Sequence, residues 1–207
     1  MGFFRKVIAV LALLCAAYAQ AGEMTGKEYT LLNTPQPTSS GKKIEVLEFF
    51  FYGCSHCYHL HPFLNAWEKQ KPKDVELQYV PVVFNDGWEP MAHTFYALES
   101  MGKLKQLHDP LFVAWNVSNI DLSDEAKISE FVAKHGVDRS KFEADYDSFS
   151  VSSKIARSNQ LVRNYGVRGT PTIAVDGKYI ITGLQPQETI RVLDEVIKMA
   201  RKERSGR

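Results

Sequence analysis

Val46-Leu47-Glu48-Phe49-Phe50-Phe51-Tyr52-Gly53-Cys54-Ser55-His56-Cys57 carries the two features that decide the fold: a nearly unbroken apolar run and, at its end, two cysteines separated by two residues. Residues 44–52 are rich in β-branched and aromatic side chains and too continuously apolar for a strand with one wet face, which predicts a central strand covered on both sides. Beyond Cys54, the spacing of Leu60, Leu64 and Trp67 predicts a helix, with Pro62 expected to kink it. Residues 75–84 read as a second buried strand, so 44–84 form a strand–helix–strand unit.

The outer parts fit around that unit. Residues 27–32 are a plausible short strand, followed by a Pro/Ser/Thr/Gly loop over 33–41. The middle is helical in pattern: Met91, Phe95, Leu98 and Met101 share one face, and Ile128, Phe131, Val132 and His135 another. Ser123 is the expected N-cap there, with Asp124 and Glu125 in the first turn and Gly136 as the stop. Val151, Ile155, Val162 and Tyr165 continue the helical pattern up to Gly166. Residues 172–175, the Asp176-Gly177 turn and residues 179–182 predict a hairpin, and 187–202 a final amphipathic helix.

The first 21 residues have the form of a secretory signal: Arg5 and Lys6, an apolar stretch over 7–17, and Ala19-Gln20-Ala21 as cleavage site, with cleavage after Ala19 as the alternative. The apolar stretch is short for a membrane span, and Cys15 follows bulky Leu13 and Leu14 rather than the small residues of a lipoprotein signal, so it reads as an ordinary leader residue. Removal leaves residues 22–207, enough for one sizeable core. Without Arg5 and Lys6, the formal balance of 25 basic and 24 acidic residues becomes −1, which offers no electrostatic footprint for nucleic acid. Export implies an oxidising compartment, yet Cys54 and Cys57 are then the only cysteines left.

A disulfide between them closes a ring worth only about 2 kcal/mol on the chain-entropy model, against nearly 5 for a long loop. The pair is better suited to reaction than to stapling. If the helix begins at Cys54, its sulfur faces unpaired N–H groups and the positive end of the helix dipole, and His56 adds charge or a hydrogen bond. Cys57, one turn inside, is shielded by its own helix. Such a placement gives an exposed attacking thiolate and a buried resolving thiol. Glu48, inside the apolar strand, must be paired, protonated or placed at a strand end near water. Gly169-Thr170-Pro171 before a strand is compatible with an ordinary turn into an edge strand.

Leu47-Glu48-Phe49-Phe50 with the C-x-H-C pair, the intervening helical block, and Gly166-Val167-Arg168-Gly169-Thr170-Pro171 before the hairpin together resemble the DsbA family of thiol:disulfide oxidoreductases. That family is itself a standard example of a depressed cysteine pKa and an oxidising pair. The resemblance implies an α/β architecture, a thioredoxin fold with an inserted helical domain: residues 22–86 and 158–207 form the thioredoxin domain and 87–157 the insertion. It implies a periplasmic enzyme without a separate cofactor, which donates its Cys54–Cys57 disulfide to reduced, unfolded exported proteins and is reoxidised by a DsbB-like membrane quinone reductase. It also implies that Pro171 is cis and faces the pair, that Thr170 and Pro171 bind substrate backbone, that His56 supports the Cys54 thiolate, and that Glu48 manages the proton of Cys57.

Three positions depart from the family's best-known members. Ser55 replaces proline, His61 stands where some members carry an acid, and Thr170 stands where valine is common among strong oxidants. These differences bear on oxidising strength. Isomerase and reductase activities of the same superfamily are the alternatives within redox chemistry. The dimeric isomerases need an N-terminal dimerisation domain, for which residues 22–43 are too few, so a monomer is expected. From another class, Cys54, Cys57 and His61 lie at i, i+3 and i+7 with His59 nearby, the spacing of a metal site, although no second pair of ligands appears in the sequence and no metal is expected. Trp67, Trp88 and Trp115 suit a peptide groove or, more simply, a core. The basic tail over 198–207 complements a helix C-terminus.

Overall fold

The computed structural model describes residues 28–206; the signal sequence expected over 1–21 lies outside them. Five strands form one sheet in the order β1-β5-β4-β2-β3, where β1 is Thr30–Leu31, β2 Ile44–Phe50, β3 Val75–Pro81, β4 Thr172–Val175 and β5 Tyr179–Thr182. Strands β2 and β3 run parallel, and the other neighbours pair antiparallel. The parallel pair needs a crossover, which helix α1 (Ser55–Glu68) supplies. Helix α1 continues through Pro62 to Glu68.

Every residue of β2 is buried, as its composition predicts. Its alternation then sorts side chains between two faces. Ile44 and Val46 join Leu60, Leu64 and Trp67 of α1 and a row from α7 (Pro186–Ser205), including Val192 and Val196. Leu47 and Phe49 point the other way, into a cluster with Tyr165, Val167 and Leu161. Phe50, the last residue of β2, and Tyr52 just beyond it enter a third cluster built by helices α2 (Glu89–Ser100), α3 (Leu104–Asn116), α4 (Glu125–Lys134), α5 (Arg139–Tyr146) and α6 (Phe149–Asn164). Helix α6 runs unbroken across residues 157 and 158, where a domain boundary is expected.

Several boundaries differ from expectation. Strand β3 stops at Pro81, opposite Phe50, because β2 ends there and leaves no partner for residues 82–84 beyond one bond from the Val82 amide to the Phe50 carbonyl. The cap of α4 is Asp124, whose carboxylate accepts the Lys127 amide at 3.0 Å. Ser123 is instead drawn back to the carboxylate of Asp121. The Asp176-Gly177 hairpin forms as expected, with φ of 54° and 68° at its two central residues; a side chain at Gly177 would also strike the Gln36 carbonyl. The basic tail is paired as well as solvated: Arg201 holds Asp74, and Arg204 holds Asp176.

Candidate active site

Helix α1 begins at Ser55 with Cys54 as its N-cap, and the cap is a sulfur: Cys54 Sγ accepts the Cys57 amide at 3.4 Å. Gly53 makes the approach possible, since a Cβ there would lie 2.5 Å from the Phe51 ring and 2.8 Å from that of Trp115. Cys54 is half-buried, whereas Cys57 is fully buried. Both are free thiols, so the geometry is that of the reduced pair.

The two sulfurs are driven apart in acidity. A hydrogen bond from the Cys57 side chain, partly opposed by burial, and then the Thr170 side chain and the amides of Cys57 and His56 bring Cys54 down to about 5. Burial, the hydrogen bond to Cys54 and the nearby Glu48 charge push the Cys57 thiol far up. One sulfur is a thiolate at neutral pH and the other is a thiol. His56 is exposed, and its backbone amide is among the groups that lower Cys54.

Across the sheet, antiparallel pairing of Phe49 with Thr172 brings the entrance of β4 beside the exit of β2. The Thr170–Pro171 peptide bond is cis, and the Thr170 carbonyl lies 3.2 Å from Cys54 Sγ, close enough to accept from the thiol form. Thr170 and Pro171 also line a groove of about 630 Å³ with His56, Phe63, Ile181 and Leu184. Glu48 is 1% exposed, and its Oε1 has no hydrogen-bond partner. Burial first, then the charges of Cys54 and Glu68, raise its carboxyl to about 8.

His61 finds its partners on α3 and on its own helix. Its Nε2 lies 2.6 Å from the Asp109 carboxylate of α3, and Asn65 donates to the same oxygen. An acid is therefore delivered next to position 61 from another helix. Among the described residues, no three His, Cys, Asp or Glu side chains are grouped so as to hold a metal ion. Phe51 stacks on Trp88 and meets Trp115 edge-on, both half-buried against the helical cluster, while Trp67 is buried in the core and bonded to Asp194. His108 of α3 is buried, and its Nδ1 meets Tyr52 Oη at 2.6 Å.

The sequence profile of the DSBA-like thioredoxin domain matches residues 85–193. The thiol:disulfide interchange protein DsbA of Bordetella parapertussis is 36% identical over 205 residues, covering 96% of this chain and 98% of the relative. The protein of the same name from Pseudomonas aeruginosa is 36% identical over 92% of each chain. The crystal structure of Pseudomonas aeruginosa DsbA superposes with a TM-score of 0.83 at 35% identity, covering 87% of this chain and 95% of that one. Likeness this extensive runs through the sheet, the helical block and the turn before β4 alike, and it has one consequence: the chain belongs to the DsbA family.

Proposed function

We propose that the protein is an exported dithiol oxidase that donates a Cys54–Cys57 disulfide to reduced, folding proteins of the periplasm. The observation that carries this reading is the asymmetry of the pair: a half-exposed Cys54 capping α1 and lowered to about 5, and a buried Cys57 pushed up. A substrate thiolate attacks Cys54 Sγ, the Cys54–Cys57 bond breaks, and Cys57 leaves and takes a proton. A second substrate thiolate attacks the substrate sulfur of the mixed disulfide, forming the substrate disulfide and expelling Cys54 as its stabilised thiolate. The substrate is oxidised and the protein's pair is reduced. Glu48, poised near 8 beneath the pair, supplies the proton to Cys57. The amides of His56 and Cys57 hold the Cys54 thiolate, and Thr170 and Pro171 present backbone to an extended substrate along the groove.

In this reading the helices over 87–157 are an insertion between the two parts of the thioredoxin domain, the protein acts as a monomer, and a DsbB-like membrane quinone reductase reoxidises it. The test is single-turnover oxidation of a reduced peptide carrying two cysteines. Cys54→Ser is expected to abolish oxidation, and Cys57→Ser to accumulate a mixed disulfide detectable by mass. Oxidation at the normal rate by Cys54→Ser overturns the mechanism. A pair found mostly reduced in cells moves the assignment to a reductase.

A further inference from the structure

Under the mechanism just proposed, Glu48 has a problem of access. It is 1% exposed, yet in each cycle it must give a proton to Cys57 and recover one. Its neighbours define where that proton can travel. In the parallel pairing, Glu48 stands opposite Tyr79 on the same face of the sheet. The Tyr79 ring lies 4.9 Å from that of His108. His108 in turn meets Tyr52 Oη at 2.6 Å through Nδ1, and its ring stands edge-on to that of His61 at 4.8 Å. His61 Nε2 reaches Asp109 at 2.6 Å, and the Asp109 side chain is 68% exposed.

Three atoms along this sequence of groups are buried with no hydrogen-bond partner: Glu48 Oε1, His108 Nε2 and His61 Nδ1. Each costs about 1–3 kcal/mol if left unsatisfied, and the surrounding Phe50, Phe95 and Phe112 rings offer nothing polar. A histidine serving only as packing would be cheaper as leucine or phenylalanine. One unpaired atom is on Glu48, whose charge acts on Tyr52, and the other two are on the facing imidazoles; a hydrogen-bonded path through them takes one bridging water at each gap.

We propose that Tyr52, His108, His61 and Asp109 form a proton route joining Glu48 to solvent. When Cys57 leaves as thiolate, it takes the Glu48 proton. The carboxylate is then reprotonated by a hop in which the Tyr52 hydroxyl oxygen releases its proton and accepts another, each imidazole accepts at one nitrogen and releases at the other, and Asp109 draws the replacement from water. Reoxidation runs the same path outwards. His108 is held neutral, lowered to about 3 by burial and by His61, which suits a group that relays a proton without storing charge. Titratable neighbours that face Glu48 are Cys54 at the N-cap of α1, Cys57 and Glu68 from α1, Tyr79 from β3 and Tyr52; those facing His108 are Tyr52, Tyr79, His61 and Asp109. Tyr52, His108, His61 and Asp109 are positioning residues, since they act on the sulfurs only through Glu48.

The test uses the full-length oxidised protein and a reduced two-cysteine peptide, with single-turnover rates measured from pH 5 to 9 in H2O and D2O. Tyr52→Phe and Asp109→Asn are expected to slow exchange about tenfold at pH 7, below the ~10²–10⁴-fold typical of a directly acting acid or base. Both should change the solvent isotope effect while keeping the wild-type reduction potential and Cys54 titration. Folded variants that exchange at the wild-type rate and isotope effect overturn the route, as does slowing accompanied by a matching change in potential. If Tyr52→Phe does not fold, Asp109→Asn decides, because its side chain is mostly exposed. A wild-type protein that fails to oxidise the peptide refutes the proposed function itself, and the route with it. An active wild type with unaffected variants refutes only the route.

Discussion

Glu48 occupies the centre of a strand whose every residue is buried, and its carboxyl is raised from 4.5 to about 8. The folded protein therefore keeps this proton over a pH range in which the unfolded chain releases it. The unfolded state binds fewer protons between these values, so the contribution of Glu48 to stability falls as pH rises from 4.5 to about 8 and is level on either side. At pH 7 the cost is about 3 kcal/mol, taken from roughly 1.4 kcal/mol per pKa unit for a fully buried group. Glu48→Gln keeps the shape and removes the titration. It is expected to be more stable than the wild type by about that amount at pH 7, with the gap closing near pH 4, while proton transfer to Cys57 slows. Urea unfolding of both reduced proteins at pH 4, 6 and 8 checks this. A gap that does not grow with pH refutes the burial of an ionisable acid at this site.

At the scale of the element, α1 makes the acidic sulfur by the way it starts. The amides directed at Cys54 belong to Cys57 and His56; the Ser55 amide at the first helical position is not among them. Proline lacks only that amide, and its fixed φ suits the first turn. Ser55→Pro is therefore expected to leave the helix intact and the Cys54 pKa within about one unit of the wild type, measured by thiolate absorbance during titration. A larger rise would show that the Ser55 amide or hydroxyl holds the thiolate. The start of α1, the shielded Cys57 and the buried Glu48 were all legible in sequence because they depend on short-range spacing and on an acid within an apolar run. Asp109 and His108 were not. They reach the site through the packing of α3 against α1, with His61 and Asp109 48 positions apart, and on α3 alone they look like ordinary members of an amphipathic helix. Similarly, Ser123 and Asp124 are both good caps by residue type, and only the pull of Asp121 on the Ser123 amide decides between them.

For the molecule as a whole, the sheet joins parts of the active site that lie 116 residues apart, Cys54 and Thr170, by pairing β2 with β4. The redox state of one small ring is thereby tied to the stability of the entire fold. Two effects oppose each other. The disulfide restricts the unfolded chain and favours the oxidised protein by about 2 kcal/mol at any pH. The Cys54 thiolate favours the reduced protein, but only where it is charged. Its folded pKa, about 5, lies below the ordinary thiol value of 9.0, so this contribution is complete above pH 9 and is lost as pH falls through 5. Half exposure of the sulfur weakens it through solvent screening. Cys57 remains a neutral thiol throughout, and burial is the largest cause of the Glu48 shift; the Cys54 charge adds to that shift only in the reduced form, which makes the climb shallower without reversing it. The stability of the reduced form relative to the oxidised form is thus expected to be flat below pH 5, where the oxidised protein is the more stable, and to climb steadily between pH 5 and 9. Denaturant unfolding of both redox forms across pH 4–9 measures this difference. A difference that stays constant with pH would mean that Cys54 has no special acidity in the folded protein, and the asymmetry on which the proposed chemistry depends would be lost.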